Sequence, residues 1–347
     1  MFDISKVDSN FKIEKRINRD DIEFHKVDEA PFKIYGIFKE NGAYKRLPES
    51  IAKTVNEGVY NLHARTAGGR LKFVTDSPYI AIHASMNGIC KMCHFAFTGS
   101  IAFDLYADNN YVQTFIPPFE IEDGYESIID MGEKKLREIT INFPLYSGVN
   151  DLYIGLQEGS LIAEAAPYKN KKPIVYYGSS ITQGGCASRP GMSYQAIISR
   201  TFNYDYINLG FSGSAKAEPA IAEYIANLDM SAFVYDYDYN SPTTEHLKES
   251  HERAFKIIRE TNPELPVIIM SRPKHILTEE EQERRNIIET TYKNAVAAGD
   301  KNVYFLDGAA LTELCKENGT VDNCHPTDFG FASIAKALSV VLKNINI

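Results

Sequence analysis

Long apolar runs, clustered basic residues and cysteine are all scarce in this chain of 347 residues. No run of about 18 apolar residues occurs, so we expect no membrane-spanning helix. No Lys/Arg cluster stands out and the formal net charge is -9, which argues against a nucleic-acid partner bound through phosphates. The five cysteines are odd in number and scattered, unlike a disulfide framework. Residues 1–8 contain no apolar segment of the secretory type, so we expect a cytoplasmic protein with free thiols.

The composition is otherwise typical of a folded globular protein, with 44% hydrophobic and 24% charged residues. The length exceeds what one ordinary domain needs, so two domains are expected. From about 57 to 156, apolar residues alternate with polar ones, as in 79–85 and 138–143, and turn-forming Gly, Asn, Asp and Pro pairs separate the runs. This alternation predicts an antiparallel β-sandwich, jelly-roll-like, over 1–168.

The pattern changes after about residue 173, where short apolar runs alternate with helical patterns. The five runs lie at 174–177, 207–210, 232–235, 267–270 and 303–306. One helix is predicted over 243–261, and another opens with Thr278 and Glu281 in capping-box spacing. Buried-type strands that alternate with helices predict βαβ units and a parallel sheet. The polar stretch at 165–172 marks the boundary, so the second domain is predicted over 169–347.

Residues suited to acyl transfer follow several of these strands. Ser180 follows the first strand, while Asp322 and His325 lie in the loop before the last helix. A hydroxyl nucleophile needs a base to take its proton, and the base needs a carboxylate to orient it. Gly213 after the second strand and Asn240 after the third can supply N–H donors to developing negative charge. Because ligands bind at the carboxyl ends of parallel strands, we expect these five residues to meet there.

Four segments between 173 and 340 resemble the signature blocks of the SGNH/GDSL hydrolase superfamily. Ser180 falls on the serine of the Gly-Asp-Ser-Leu block, Gly213 on the glycine of the second block and Asn240 on the asparagine of the third. The Asp-x-x-His of the last block falls on Asp322 and His325. Four blocks in the right order, each after a predicted strand, are a far more specific signal than any one of them.

This resemblance implies a flavodoxin-like αβα sandwich around a five-stranded parallel sheet, with ester hydrolysis that needs no metal or cofactor. It makes Ser180 the nucleophile, His325 its base and Asp322 the group that orients the imidazole. The oxyanion would be held by the N–H groups of Ser180 and Gly213 and by the side chain of Asn240.

Two departures from the family pattern affect the site. Ser179 stands where the first block usually has Asp, so two adjacent serines compete for the nucleophile assignment. Asp238 stands where the third block usually has Gly, which puts the local loop shape in doubt.

Residues 99–106 resemble the Gly-x-Asp-Leu-Tyr pattern of a β-sandwich that precedes SGNH domains in some carbohydrate acetylesterases. That likeness favours acetylated sugars as substrates.

Several other residues have two possible interpretations, a functional one and a structural one. The chain has no Trp, so sugar rings would stack on Tyr or Phe; Tyr237 and Tyr239, beside Asn240, are candidates against simple packing. Arg272 follows the fourth strand and either lines the pocket or forms a structural salt bridge. The segment 90–94 matches the Cys-x-x-Cys-His pattern of haem attachment. We expect no haem there, because the segment lies in a strand-rich half without a visible export signal and one such pattern is easily met by chance. We expect no zinc, because no second ligand pair has suitable spacing.

Together these features predict a serine esterase that acts on short-chain acyl esters, chiefly O-acetyl groups of oligosaccharides. One alternative keeps the chemistry but changes the substrate to a lipid or other small acylester, or transfers the acyl group to an alcohol. Another is a glycan-binding protein whose hydrolase domain is silent. We expect a small-molecule ester partner, no nucleic acid, no membrane and no cofactor; whether the chain forms a homo-oligomer is left open.

Overall fold

The computed structural model of the protein describes residue 17 and residues 19–170 and 172–345. Residues 1–8, on which the expectation about secretion rests, and Lys171 of the polar stretch lie outside them. The first half of the described chain is built mainly of strands. These strands are β1 (Ile22–Lys26), β2 (Lys33–Tyr35), β3 (Phe38–Glu40), β4 (Ala43–Lys45), β5 (Arg70–Thr75), β6 (Tyr79–Asn87), β7 (Phe103–Ala107), β8 (Asn110–Phe115), β9 (Gly124–Asp130), β10 (Arg137–Asn142), β11 (Gly148–Gln157) and β12 (Ile162–Ala163).

Two antiparallel sheets form the predicted sandwich. One has the strand order β1-β11-β6-β9, and the other has the order β12-β5-β10-β7-β8 with β2 paired to β5. Their inward residues share one core, in which Ile82 and Ile154 of the first sheet join Phe73 and Ile141 of the second. Because side chains alternate across a strand, the period of two in the sequence places these apolar residues on one face. The predicted sandwich is confirmed.

Three short helices interrupt the strands: α1 (Glu49–Val55), α2 (Glu57–Leu62) and α3 (Phe97–Ser100). The expectation of strands from about residue 57 is wrong for α2. Asn56 caps this helix by accepting a hydrogen bond from the N–H of Val59 at 2.9 Å. Val59 and Ala52 are buried in the core of the second half of the chain, so tertiary packing favours a helix there.

The second half is built on a parallel sheet with the strands β13 (Ile174–Gly178), β14 (Tyr206–Gly210), β15 (Ala232–Asp236), β16 (Val267–Met270) and β17 (Val303–Leu306). Their order in the sheet is β14-β13-β15-β16-β17. All four neighbouring pairs are parallel. The five predicted strands are therefore confirmed, each within about two residues of its expected bounds.

Helices cover both faces of this sheet. They are α4 (Ser180–Gln183), α5 (Tyr194–Phe202), α6 (Pro219–Ala226), α7 (Thr244–Thr261), α8 (Glu279–Ala297), α9 (Gly308–Leu311) and α10 (Asp328–Asn344). Alternate residues of each strand face opposite layers: Val175 packs with α6, α7 and α8, whereas Tyr176 packs with α5 and α10. The predicted αβα sandwich and the capping box of Thr278 and Glu281 are confirmed. No helix within the described ranges is long and apolar enough to span a membrane.

Two buried arginines of the first half join the halves along the edge strand β14. Arg46 donates to the carbonyl oxygens of Asn208 at 3.0 Å and Gly210 at 2.7 Å. Arg70 donates to the carbonyl oxygen of Tyr206 at 3.0 Å. These carbonyls recur at every second residue, so they all point away from β13. Two guanidinium groups thus satisfy a strand edge that would otherwise expose unpaired acceptors.

Candidate active site

Ser180 lies in the sharp turn between β13 and α4. Ser179 is the N-cap of α4, and its hydroxyl accepts a hydrogen bond from the N–H of Ile181 at 3.2 Å. After four residues the helix ends at Gly184, whose φ of +103° favours glycine. The two adjacent serines therefore differ in geometry: Ser179 is 0% exposed and bonds to the backbone, while Ser180 is 6% exposed at the carboxyl edge of the sheet.

The imidazole of His325 reaches Ser180 from the loop before α10. His325 Nε2 lies 2.9 Å from Ser180 Oγ, and Nδ1 lies 2.7 Å from Asp322 Oδ2. If Nδ1 carries the proton and donates it to Asp322, Nε2 is left to accept from the Ser180 hydroxyl. The three side chains form one continuous hydrogen-bond chain, in the order that transfer of a proton from Ser180 requires.

The carboxylate of Asp322 is held in place by its own loop. Its Oδ1 accepts from the backbone N–H of His325 at 2.7 Å and of Cys324 at 3.1 Å. Burial acts to raise the pKa of Asp322, but the hydrogen bonds from the backbone and ring of His325 outweigh it and lower that pKa below its ordinary value. The group is thus kept ionised, as a partner for an imidazolium must be.

Gly213 and Asn240 lie next to each other after the carboxyl ends of β14 and β15. Gly213 has a φ of +67°, and Asn240 ends a 3-10 helix, Asp238–Asn240. The Asn240 amide has two orientations. In one, its oxygen accepts from the Ala215 N–H at 3.3 Å, and its nitrogen stands beside the Gly213 N–H. In the other, its nitrogen donates to the Phe211 carbonyl at 3.0 Å and its oxygen accepts from the Gly213 N–H at 3.3 Å. The first orientation sets the amide oxygen beside the Phe211 carbonyl oxygen and the nitrogen beside another donor, so hydrogen bonding within the described residues favours the second.

Asp238, the departure from the usual Gly, is a buried anchor for this loop. It is 0% exposed and accepts from Arg272 Nε at 2.7 Å and from Arg284 Nε at 2.8 Å. Its charge is therefore paired beneath the loop and does not face the site. For Arg272, the salt bridge that the sequence left open as an alternative is the contact seen.

The two candidate tyrosines occupy different places. Tyr237 is 1% exposed and lies within a row of stacked rings, 5.4 Å from Tyr235 and 5.8 Å from His251. Its position corresponds to the packing alternative, because no open surface is left for a substrate. Tyr239 is partly buried, and its ring lies 4.5 Å from the guanidinium of Arg272. Arg272 thus packs against Tyr239, the residue next to Asn240 in the chain.

The first half of the chain also reaches the site, which the sequence did not indicate. Tyr146 donates to the carbonyl oxygen of Ser180 at 3.3 Å. The ring of His94 lies 5.6 Å from that of His325. A Cβ on Gly185 would lie 2.8 Å from Tyr146 Oη and 3.2 Å from His325 Cδ2, so glycine permits this close approach. No sequence signal marks Tyr146, since 144–148 has the composition of a turn.

A buried carboxyl lies under the Ser180 turn. Asp236 is 0% exposed, its Oδ2 accepts from Thr182 Oγ1 at 3.2 Å, and its backbone oxygen accepts from the Ser179 N–H at 3.1 Å. Its Oδ1 has no hydrogen-bond partner among the described residues. Burial raises the pKa of Asp236 to about 7. The sequence did not single out this residue, because an Asp at a strand end normally suggests exposure.

Two family models match the chain, and together they cover most of it. The GDSL-like Lipase/Acylhydrolase family matches residues 171–343, and the N-terminus of Esterase_SGNH_hydro-type matches residues 22–162. The chain belongs to the SGNH/GDSL hydrolase family. This membership makes it an esterase and confirms both resemblances, that of 173–340 and that of 99–106.

In this SGNH esterase, the Asp of the N-terminal motif joins the two halves. Asp104 is 0% exposed, and its Oδ2 accepts from the backbone N–H of Gly191 at 2.8 Å. Its Oδ1 accepts from Asn142 Nδ2 at 2.7 Å, and Arg189 Nε lies 3.6 Å from Oδ2. Asp104 is therefore a structural junction between the two halves.

Solved structures share both halves of the esterase. A GDSL-like lipase homologue from Bacteroides ovatus is 27% identical, with a TM-score of 0.82 over 93% of this chain and 98% of that one. The salicylyl-acyltransferase SsfX3 of a tetracycline biosynthetic pathway is 19% identical, with a TM-score of 0.76 over 94% and 98%. A family two carbohydrate esterase from Clostridium thermocellum, in complex with cellohexaose, is 13% identical, with a TM-score of 0.63 over 90% and 98%. A sequence search of curated proteins returned no match.

Proposed function

We propose that this esterase hydrolyses short-chain acyl esters, above all O-acetyl groups of oligosaccharides, with Ser180, His325 and Asp322 as its triad. The observation that carries the proposal is the hydrogen-bond chain from Ser180 Oγ to His325 Nε2 at 2.9 Å and from Nδ1 to Asp322 at 2.7 Å. A serine hydroxyl is a weak nucleophile by itself, so an adjacent, oriented base is what turns it into a catalyst.

In the first step Ser180 Oγ attacks the acyl carbonyl while its proton passes to His325 Nε2. The imidazolium then returns that proton to the leaving sugar hydroxyl, and the acyl group stays on Ser180 as an ester. Water, deprotonated by the same nitrogen, attacks this ester and releases acetate and the free serine. Asp322 stays ionised throughout and stabilises the imidazolium.

The negative charge on the carbonyl oxygen would be held by the N–H groups of Ser180 and Gly213 and by the Asn240 amide. Ser180 is the first residue of α4, and the first N–H groups of a helix have no intrahelical acceptor. A bound oxyanion favours the orientation of Asn240 whose nitrogen faces it, because an anion accepts more strongly than the Phe211 carbonyl.

A short acyl group is supported by the crowding of the serine turn. Ser180 is 6% exposed, and Tyr146 covers its backbone from the side of the sandwich. A Cβ on Gly185 would lie 2.8 Å from Tyr146 Oη and 3.1 Å from the Ser180 carbonyl oxygen, so the chain is tightly packed around the serine turn. We expect this crowding to favour a short acyl group over a long one.

A glycan as the alcohol part is supported by an exposed ring, Phe119, which contacts the segment that carries His94. Phe119 is 65% exposed, and its ring stacks on Phe97 with 5.2 Å between centroids. Lys91 donates to the carbonyl oxygen of Phe119 at 2.8 Å and lies three residues before His94. Such a platform can stack a sugar in a chain that lacks tryptophan. In the Clostridium thermocellum enzyme the same two-domain fold is bound to cellohexaose.

The test measures acetate released from defined acetylated oligosaccharides, beside a series of aryl esters of increasing acyl length. We expect acetyl esters to be hydrolysed fastest and a serine-directed phosphonate to label Ser180. A preference for long acyl chains would contradict the acetyl assignment, and the absence of an adduct would favour a silent hydrolase domain. Transfer to an added alcohol in place of water would favour the acyltransferase alternative.

The sugar platform is tested by Phe119→Ala, with Val340→Ala as the matched control. Val340 is also exposed, at 60%, but lies on α10 outside the platform. Loss of one stacked ring should raise KM for the oligosaccharide by roughly three- to tenfold and leave hydrolysis of the aryl acetate unchanged. Equal behaviour of the two variants on the oligosaccharide would refute the platform.

The cytoplasmic location and the domain boundary at 168–169 stay predictions.

A further inference from the structure

Three side chains with strong metal-ligating atoms converge beside the serine turn. A ring nitrogen of His94, Sγ of Cys186 and a ring nitrogen of His325 all lie within 4.8 Å of one another. They come from three separate segments: a sandwich loop, the loop after α4 and the loop before α10. Their meeting depends on the same contact between the halves that brings Tyr146 to Ser180.

The three ligands differ in accessibility. Cys186 is 8% exposed and has a φ of +73°, which a non-glycine residue rarely adopts. His94 is exposed and lies in the connection between β6 and α3. The cluster therefore has a buried sulfur on one side and a solvent-accessible imidazole on the other, so an ion can enter from solvent.

The donor set suits a borderline-soft divalent ion. Zn²⁺ binds Cys sulfur at about 2.3 Å and His nitrogen at about 2.0–2.1 Å, and tetrahedral geometry then places ligand atoms roughly 3.5 Å apart. Because the ligand atoms lie within 4.8 Å of one another, they must approach by no more than roughly 1 Å to bind the ion. The exposed side chain of His94 is free to supply that movement. Three protein ligands leave the fourth position to water or to a small anion such as acetate.

We propose that His94, Cys186 and His325 form an inhibitory binding site for Zn²⁺ in this esterase. The inference rests on the proposed role of His325 as the base. Both ring nitrogens of His325 already have partners, Nε2 with Ser180 and Nδ1 with Asp322. A metal ion on either nitrogen replaces one of these partners, so the imidazole can no longer accept the serine proton. The Cys186 thiol releases its own proton to solvent as the S–Zn bond forms.

The set differs from the one considered from sequence. Cys90 and Cys93 precede His94 in the Cys-x-x-Cys-His pattern, yet within the described ranges neither belongs to the cluster. Cys93 is exposed and lies one residue from His94. It is therefore a matched control for any effect of free thiols near the site.

The first measurement uses Co²⁺ as an optical substitute for Zn²⁺ on the full chain. We expect a sulfur-to-cobalt charge-transfer band and tetrahedral d–d bands, both abolished by added Zn²⁺. The Ser180→Ala variant should show the same bands, because Ser180 is not a ligand. Cys186→Ser should lose the charge-transfer band, whereas Cys93→Ser should keep it. Absence of the band from the unmodified protein would overturn the site.

The second measurement is inhibition of aryl acetate hydrolysis by Zn²⁺ and its reversal by a chelator. His94→Ala and Cys186→Ser should weaken inhibition by at least about tenfold, while Cys93→Ser leaves it unchanged. Equal inhibition of all variants, or a cobalt band without inhibition, would overturn the inhibitory role. If Ser180→Ala retained esterase activity, the proposed function would fail, yet its cobalt bands would still report on the metal site.

Discussion

Two regions of this esterase bury polar side chains, but they use them differently. At the seam between the halves, Arg70 and Asp104 direct their hydrogen-bonding atoms at fixed backbone groups, such as the carbonyl oxygen of Tyr206 and the N–H of Gly191. At the carboxyl rim of the parallel sheet, the hydroxyl of Ser180 is hydrogen-bonded to the imidazole of His325. This hydroxyl does not hold a backbone group in place, unlike the polar groups of the seam.

Under the proposed function, this difference separates groups that maintain the fold from groups that perform chemistry. A buried polar group with every partner in place contributes to stability and specificity, and removing it leaves its partners unsatisfied. A group whose partner becomes available only when substrate binds can be removed with little loss of stability. The comparison therefore predicts opposite effects of substitution at the rim and at the seam.

Ser180→Ala should have the largest effect, and on activity alone. Without the nucleophile, kcat for an aryl acetate should fall by at least about 10⁴-fold, while the melting temperature stays close to that of the unmodified protein. Steady-state kinetics and thermal unfolding of the same preparation check both parts. Activity that persists undiminished would refute the nucleophile assignment.

Ser179→Ala is the matched control for the neighbouring serine. Its hydroxyl caps α4, so its loss should cost roughly 1 kcal/mol of stability. Hydrolysis should continue, because Ser179 does not contact His325. If Ser179→Ala abolished activity and Ser180→Ala did not, the two serines would exchange roles.

Arg70→Met should give the converse result at the seam. Arg70 is 1% exposed, pairs with Asp205 and stacks on Tyr206 with 3.8 Å to the ring centre. Breaking one partner of a fully buried pair costs about 3–5 kcal/mol, and this is an upper value here because the Asp205 side chain is 21% exposed. Tyr206 begins β14, about 13 Å along the strand from the end that faces the site. Denaturant unfolding should therefore show a large loss of stability, with kcat of the folded protein unchanged within about threefold.

Lys172→Ala is the control for charge removal. Lys172 pairs with Asp229 at 2.6 Å, but both side chains are more than half exposed. An exposed pair is worth about 0–1 kcal/mol, so stability should barely change. A similar small change for Arg70→Met would show that the seam arginine does not support the fold.

The same contrast explains which features the sequence predicted. The strand after Pro173 and the helix opened by Thr278 follow from local patterns, because a parallel sheet buried on both faces reads as short apolar runs between helices. Ser180, Asp322 and His325 could be proposed because each follows a predicted element in the order of a known family. The carboxyl ends of parallel strands lie at one edge of the sheet, so these residues come together without any prediction of contacts between distant segments.

Contacts across the seam could not be predicted in this way. Nothing local to Tyr146 or His94 indicates that they lie beside Ser180 and His325, since the register of one half against the other sets that contact. Arg46 and Arg70 look like ordinary surface cations in the sequence, and only the edge of β14 gives them partners. The helix α2 lies where the sequence period of two predicted strands. It too depends on a contact between the halves, because Val59 packs into the core of the second half.

Asn240→Ala tests a second residue at the carboxyl rim, for which the comparison predicts a loss of activity without a loss of stability. Loss of one oxyanion donor typically lowers kcat by about 10²- to 10³-fold. A turn residue with no catalytic part would instead lower stability and leave kcat of the folded protein intact. Kinetics with aryl acetate and unfolding in denaturant distinguish the two outcomes, and a loss confined to stability would exclude the oxyanion role.

Asp236→Asn leaves the active-site groups in place and tests a buried carboxyl that lies between the rim and the seam in character. Burial raises the pKa of Asp236 to about 7 from an ordinary 3.8. Below pH 3.8 the Asp236 carboxyl is protonated in both the folded and the unfolded protein. Between pH 3.8 and about 7 it loses its proton only in the unfolded protein, which stabilises the unfolded state. The stability that the protonated carboxyl contributes therefore declines as pH rises and is gone above about pH 7. The decline is of order 1 kcal/mol per pH unit.

The neutral amide cannot ionise, so the variant should lose less stability than the unmodified protein between pH 4 and 8. Denaturant unfolding at a series of pH values measures the difference between the two slopes. Asp229→Asn, at an exposed carboxylate, is the control and should keep the original slope. Parallel curves for Asp236→Asn and the unmodified protein would mean that the carboxyl under the serine turn is already ionised at pH 4 and finds compensation for its charge. Asp236 would then belong with the paired charges of the seam.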